Sequence, residues 1–260
     1  MSEMHSPIPG FAADWLQREP ALAICYRFAA KPMHWLASVV IIEELLQAMF
    51  TLSNQELAQA KLAWWADEAD LAVSGAPRHP LTQVLFAAKS DLRALPALVQ
   101  AAQEWITLPT ASDANAQRMQ FAALSHTASE LVSEGDCAAI WMELASKRQL
   151  QSFLKPDRYG PSVLSRAALA EFQLKASQIS DTALVSAALS VKVTAIRHSL
   201  RDALPAQARG MQSATRAYGL LHAREASAWA KSTLTPPFGR FLSSAPGLVG
   251  LVQAWWIARR

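Results

Sequence analysis

Two adjacent glutamates lie in the most apolar segment of this chain. Residues 33–50 are predicted to form a helix that is apolar nearly all round, interrupted by Glu43, Glu44 and Gln47. A carboxylate on an apolar face is costly unless it is paired with a cation or opens onto a wet cavity. The glutamates therefore lie at a solvated edge or bind a structural arginine such as Arg27, or alternatively they line an internal cleft.

A second group of polar residues follows on a helix predicted for residues 180–204. It contains Arg197, His198, Arg201 and Asp202, and the histidine and the aspartate are one helical turn apart. Such a pair is common on the solvated surface of a helix, which is one interpretation. The other is that this helix turns its polar residues toward the same interior as the glutamates.

Start and stop signals for helices are clearest just after the apolar segment. Ser53 followed by Glu56 predicts a capping box, so a helix is expected to begin just after Ser53. Gly75 and Pro77 predict its end, because glycine tolerates a left-handed cap and proline cannot continue a helix. Pro80 then predicts the first turn of the next helix, where its missing amide is not needed.

Paired tryptophans lie on the first of these helices. Trp64 and Trp65 point about 100° apart, so one can enter a core while the other packs against a neighbouring element. The plain interpretation is core packing. The alternative is that Lys61, Trp65 and Glu68 line a pocket for an apolar ligand with a charged head group.

The composition is typical of a globular, all-α chain. Of its 260 residues, 52% are apolar and 17% are charged, with nine glycines and no sustained β-branched alternation. The net charge of +3 is small and spread along the chain, which argues against nucleic acid as a partner. The length suits one large domain or two small ones.

The cysteines and the N-terminus predict a soluble protein of a reducing cytoplasm. Cys25 and Cys137 are far apart and lack metal-binding spacing. The first ten residues lack the basic and apolar regions of a signal peptide. Because Glu43 and Glu44 interrupt the longest apolar run, no segment is expected to span a membrane. Signatures of a catalytic triad, a phosphate loop or a zinc site are also missing from the sequence.

Two short stretches carry a resemblance to a known family. The segment KLAWW at residues 61–65, followed by GAPRHP at residues 75–80, resembles the squalene/phytoene synthase family in its diverged bacterial and mitochondrial branch. The resemblance implies an all-α, single-domain helical bundle of the isoprenoid synthase type with a central cavity. It assigns residues 1–260 to that domain, with residues 1–11 as a flexible lead-in.

Enzymes of that family join two prenyl diphosphates on Mg²⁺ ions, which are held by two facing aspartate-rich helices. At the first motif, Asp-Asp-x-x-Asp, the resemblance places Glu43, Glu44 and Gln47. The spacing is kept, but the acids are longer and the third position is a neutral amide.

At the second motif, Arg-Asp-x-x-x-Asp, the resemblance places Arg197, His198 and Asp202. The arginine and the last aspartate match, whereas the histidine loses both the charge and the hard oxygen ligand that Mg²⁺ prefers. If any metal is held, the implied ligands are Glu43, Glu44 and Asp202.

The resemblance therefore implies a diverged protein with degraded metal motifs, for which neither a catalytic residue nor a cofactor is expected. It implies an isoprenoid-binding protein, or a scaffold or assembly protein with a protein partner. The alternative is an active prenyltransferase that uses Mg²⁺ and places Arg197 and Arg201 on the diphosphate. A third alternative is peripheral membrane contact through the C-terminal helix that contains Trp255 and Trp256.

Overall fold

The computed structural model of the chain describes residues 10–52, 54–133, 136–152, 162, 164–174, 188, 191–192, 194–196, 198–199 and 214–222. Within these ranges the regular elements are all helical. The helices are α1 (Gly10–Arg18), α2 (Pro20–Cys25) with a 3₁₀ turn at Tyr26–Phe28, α3 (Pro32–Phe50), α4 (Gln55–Val73), α5 (Pro80–Ala87), α6 (Ala94–Trp105), α7 (Ala114–Met119), α8 (Ala122–Val132), α9 (Ala138–Ser152) and α10 (Arg166–Glu171).

Helical residues also occur in two later stretches. Residues 214–222 form one helical stretch, and the described residues between 188 and 199, called here the 188–199 stretch, are helical too. Several predictions fall outside the described residues: the capping serine Ser53, the polar residues Arg197, Arg201 and Asp202, the tryptophans Trp255 and Trp256, and residues 1–9 of the lead-in.

Helix α3 is the central element of the core. It begins at Pro32, whose fixed backbone suits a first helical turn, and it packs against α4, α5, α6, α8 and α9. By length and composition it is the one helix among the described residues that could cross a membrane, but most of it is buried inside the protein. Its apolar surface is accounted for by the surrounding helices.

The turn from α4 to α5 follows the predicted signals with one shift. Helix α4 is capped by Asn54, whose side chain accepts a hydrogen bond of 2.8 Å from the Leu57 amide, so the observed cap lies one residue after Ser53. Gly75 directly follows Ser74, the C-terminal cap of α4, and has a positive φ of 89°. Pro80 occupies the first turn of α5, as predicted.

One predicted helix is divided in two. The sequence favours a single helix from about residue 114 to residue 133, but the chain breaks between α7 and α8. At the break Phe121 is fully buried, and its ring stacks on Trp105 with 5.6 Å between centroids and meets Phe50 edge-on at 6.1 Å. The favourable free energy of burying this aromatic ring offsets the backbone hydrogen bonds that are lost where the helix is interrupted.

Candidate functional site

Glu43 is buried in the interior and is paired on both carboxylate oxygens. Its Oε2 accepts hydrogen bonds from Nε and Nη2 of Arg148 on α9, at 3.0 and 2.8 Å. Its Oε1 accepts a hydrogen bond of 2.7 Å from the hydroxyl of Tyr218 in the 214–222 stretch. The Arg148 guanidinium also reaches Oε2 of Glu19, at 2.7 Å. Arg148 therefore bridges two carboxylates between α3, α9 and the start of α2.

The electrostatics of this group follow from burial and opposite charge. Burial would lower the pKa of Arg148, but Glu43 and Glu19 outweigh it and raise that pKa well above its usual value. Burial would raise the pKa of Glu19, yet Arg148 and the neighbouring cations hold it below its usual value. Burial and the adjacent carboxylates raise the pKa of Tyr218 well above its usual range, so the phenol stays a hydrogen-bond donor.

Glu44 is paired in the same way, by residues of α1 and α4. Its Oε1 accepts a hydrogen bond of 2.6 Å from the indole of Trp15, and its Oε2 lies 2.5 Å from Nζ of Lys61. Lys61 also donates a hydrogen bond of 3.0 Å to Oε1 of Gln47. Together with the partners of Glu43, these contacts give every carboxylate oxygen of the two glutamates a protein donor.

This arrangement disagrees with a magnesium site at the first motif. Mg²⁺ requires oxygen ligands and is repelled by cations, whereas Glu43 and Glu44 are already paired with Arg148 and Lys61. Within the ranges that the structure describes, no three acidic, histidine or cysteine side chains are grouped to hold a metal ion. The third implied ligand, Asp202, lies outside those ranges.

The arginine that pairs with the glutamates is not the one that the sequence suggested. Arg27 is exposed in the 3₁₀ turn after α2, and Arg148 takes the role of structural partner. Both α9 and the 3₁₀ turn pack on α3, but the Arg148 side chain reaches Glu43 whereas Arg27 is exposed. The solvated-edge interpretation is wrong, since both glutamates are buried.

The interior beside Glu43 is filled by aromatic side chains. Trp35 and Tyr218 meet edge-on with 6.0 Å between ring centroids, and Trp141 lies 6.3 Å from Tyr218. The Trp35 indole donates a hydrogen bond of 2.9 Å to the hydroxyl of Thr215, which ties α3 to the 214–222 stretch. All four side chains are buried. These contacts tie α3, α9 and the 214–222 stretch together beside Glu43.

Further buried polar groups adjoin this packing. Lys147, next to Arg148 on α9, contacts Nδ1 of His222, and both side chains are buried. The His222 ring also meets Tyr218 edge-on, with 4.4 Å between centroids. Helix α9, which packs on α3, therefore carries two adjacent basic residues, Lys147 and Arg148.

The residues predicted around the tryptophan pair have separate partners. Trp65 is buried and Trp64 is largely exposed, and both rings contact His79. Lys61 turns toward Glu44 on α3, whereas Glu68 turns toward α5. The structure thus places these side chains in contacts within the protein, as the packing interpretation expects.

Glu68 fastens the turn between α4 and α5. Its Oε1 accepts hydrogen bonds of 2.9 Å from the amides of Arg78 and His79, and one from the hydroxyl of Thr82. Burial alone would raise the pKa of Glu68, but these hydrogen bonds outweigh burial and lower it. The carboxylate is therefore a structural acceptor for this turn.

Of the second polar group, the structure describes His198, which is exposed. Whether Arg197, Arg201 and Asp202 approach Glu43 stays a prediction, because those residues lie outside the described ranges. Among the described residues, the glutamates are contacted by Lys61, which the sequence analysis had named, and by Trp15, Arg148 and Tyr218, which it had not.

The missed residues had weak signals or none in the sequence. Lys147 and Arg148 are adjacent basic residues on a helix whose Trp141 and Leu144 were predicted to point inward, and that pattern could have pointed to a buried charge pair. Trp15 and Tyr218 offered no such signal, because each contacts its glutamate across a long stretch of chain.

Comparisons with known proteins agree with this architecture. The structure is similar to a crystal structure of a dehydrosqualene synthase in complex with ligand, with a TM-score of 0.71, over 96% of this chain and 94% of that chain, at 8% sequence identity. No family model and no curated protein sequence matches the chain. The chain has the all-α isoprenoid synthase fold of the squalene/phytoene synthase type, which confirms the predicted fold. At 8% sequence identity, the similarity shows the fold alone.

Proposed function

We propose that this chain uses a squalene/phytoene synthase-like fold as a non-condensing scaffold or assembly protein, with isoprenoid binding as the second form of the same idea. One observation carries the proposal: each carboxylate oxygen of Glu43 and Glu44 accepts a hydrogen bond or ion pair from a protein donor. Carboxylates that neutralise Arg148 and Lys61 support the fold and have little capacity left for a metal pair.

The aromatic packing favours the scaffold form over isoprenoid binding. A prenyl chain needs a long apolar cavity, and beside Glu43 the rings of Trp35 and Trp141 each contact the Tyr218 ring. A scaffold needs a stable surface and no internal ligand. The partner of such a scaffold would be another protein.

The test of lost condensation is the release of pyrophosphate from farnesyl or geranylgeranyl diphosphate. We expect none above background, with or without Mg²⁺, under conditions in which a dehydrosqualene synthase turns over. Mg²⁺-dependent release that disappears in Asp202→Ala, while the folded state is kept, would overturn the proposal.

An active prenyltransferase is the second candidate, and the likeness to a dehydrosqualene synthase over most of both chains favours it. It would use Glu43, Glu44 and Asp202 for Mg²⁺, with Arg197 and Arg201 on the diphosphate. Isothermal titration calorimetry with a non-hydrolysable farnesyl diphosphate analogue distinguishes the enzyme, the isoprenoid-binding protein and the scaffold. Binding that strengthens with Mg²⁺ supports the enzyme, binding that ignores Mg²⁺ supports isoprenoid binding, and no binding supports the scaffold.

A further inference from the structure

The outward side of α4 carries exposed apolar side chains. Leu57 and Trp64 lie two turns apart on one line along the helix, and they are 52% and 45% exposed. Ala60 is also exposed and lies beside this line. Its side chain is small enough for another helix to approach closely. Large apolar residues that share an exposed face are typical of a surface that contacts another molecule.

Trp64 is held in a fixed position on this surface. Its ring meets the Trp65 ring edge-on with 5.1 Å between centroids, and it meets the His79 ring edge-on at 5.5 Å. Trp65 is buried and His79 caps α5, so both neighbours belong to the packed helices. An exposed tryptophan that is already ordered loses little conformational entropy on binding. Tryptophan is also enriched among the residues that dominate the affinity of interfaces.

A row of acidic residues runs beside the apolar line. Glu56 and Asp67 lie three turns apart, Asp70 lies one turn further, and all three are exposed. Within the part of the chain that the structure describes, none of the three forms an ion pair. Lys61, the one basic residue of α4, is directed to α3, where its Nζ lies 2.5 Å from Glu44. The outward side of α4 is therefore acidic on a chain whose net charge is +3. The residues that form this side, called the α4 face below, are Glu56, Leu57, Ala60, Trp64, Asp67 and Asp70.

We propose that the α4 face binds a helix of a partner protein, and that this helix carries an apolar row beside a basic row. The inference rests on the proposed scaffold function and names the chemistry of the partner. Apolar side chains of the partner cover Leu57 and Trp64, and its lysine or arginine side chains meet Glu56, Asp67 and Asp70. Opposite charges set the orientation and the rate of association, while burial of the tryptophan supplies affinity. The same acidic row repels an anionic lipid surface, which disfavours a membrane as the occupant.

The probe is a fluorescein-labelled synthetic peptide of about 18 residues, helical, with leucines along one face and lysines beside them. Fluorescence anisotropy at low salt should show micromolar binding to the full chain, and no binding of the same peptide with glutamate for every lysine. Asp67→Lys should weaken binding at least about tenfold, because it places like charges opposite each other. Trp64→Ala should weaken it by a similar factor. Leu57→Ala should weaken it at least about fivefold, and it tests the same face without disturbing the ring contacts of Trp64.

Two substitutions elsewhere on the surface are the matched controls. Glu130→Lys changes an exposed acid of α8, and Met119→Ala removes an exposed apolar side chain of α7. Neither should change the affinity, and the thermal midpoint of every variant is measured alongside to confirm that it is folded. A peptide that does not bind, α4 variants that bind as the original chain does, or controls that weaken binding equally would each overturn the proposal.

Other occupants of the α4 face give different results. Self-association of the chain in sedimentation velocity that Trp64→Ala abolishes, without peptide binding, would replace the partner helix by a second copy. Flotation with phosphatidylserine vesicles that Trp64→Ala abolishes would replace it by a membrane.

Pyrophosphate release from the same preparations distinguishes this inference from the proposed function. Absence of both pyrophosphate release and peptide binding contradicts the α4 face alone. Mg²⁺-dependent release from a chain that still binds the peptide contradicts the scaffold function and leaves the binding face in place.

Discussion

Arg148 is the side chain on which the buried charges of the interior depend. It lies within hydrogen-bonding distance of Glu43 and of Glu19, and its side chain is 21% exposed. A buried ion pair adds little net stability over an apolar replacement, but removal of one partner leaves the others charged and desolvated. The same residue therefore connects the α3 carboxylate to α9 and neutralises its charge.

The substitution Arg148→Met should lower the free energy of unfolding by about 3 kcal/mol, because it leaves the buried Glu43 and the partly buried Glu19 without their cation. Urea denaturation followed by tryptophan fluorescence measures this loss. Arg93→Met is the matched control, since Arg93 pairs with Asp91 at an exposed site and should change stability too little to measure. The double variant Arg148→Met with Glu43→Leu should recover part of the loss, and a double variant as unstable as the sum of the single ones would contradict the pairing.

The connection between α4 and α5 shows how one turn is fixed by local signals and by one buried acceptor. Gly75 adopts the left-handed conformation, and Glu68 accepts from the backbone amides of Arg78 and His79. His79 then caps α5 by accepting a hydrogen bond of 3.2 Å from the Leu81 amide. The stretch that carries the family resemblance thus contains the turn between α4 and α5, which these hydrogen bonds stabilise.

The substitution Gly75→Ala should lower the free energy of unfolding by about 1 kcal/mol, because φ is 89° and a side chain is strained there. Steric contact does not add to this cost, since a new Cβ would lie 3.8 Å from the Phe86 ring. Gly10→Ala is the control, as nothing lies within 4 Å of its added Cβ. Equal thermal midpoints for the two variants would show that the Gly75 conformation is not required.

At the scale of the whole molecule, one aromatic-rich core runs through the described helices. Trp35, Trp65, Trp105 and Trp141 are all fully buried, and α3 contacts most of the other helices. That residues 1–260 form a single domain stays a prediction. The shared fold with a dehydrosqualene synthase thus persists around an interior whose charges are paired within the protein.

A single domain should unfold in one cooperative transition. Tryptophan fluorescence reports the core and far-ultraviolet circular dichroism reports the helices, so the two urea curves should have the same midpoint and slope. Arg148→Met should move both curves together. Two midpoints that differ by more than the fitting error would contradict the prediction of residues 1–260 as one domain.

Local signals explain how much of the fold could be predicted. Three such signals are proline at a first helical turn, Gly75 at a helix end and the apolar run of α3. Each acts over a few residues, so the structure it favours can be predicted from the sequence. The division between α7 and α8 was not predicted, because it depends on where the Phe121 ring finds a partner. That partner, Trp105, belongs to a different helix.

The sequence by itself determined that this chain is helical and that Glu43 and Glu44 would be costly inside it. Only the tertiary structure decided how that cost is met. Arg148 lies 105 residues from Glu43 in the chain and Tyr218 lies 175 residues away. Helical periodicity carries information over a few turns, whereas the pairing of buried charges depends on which helices pack together.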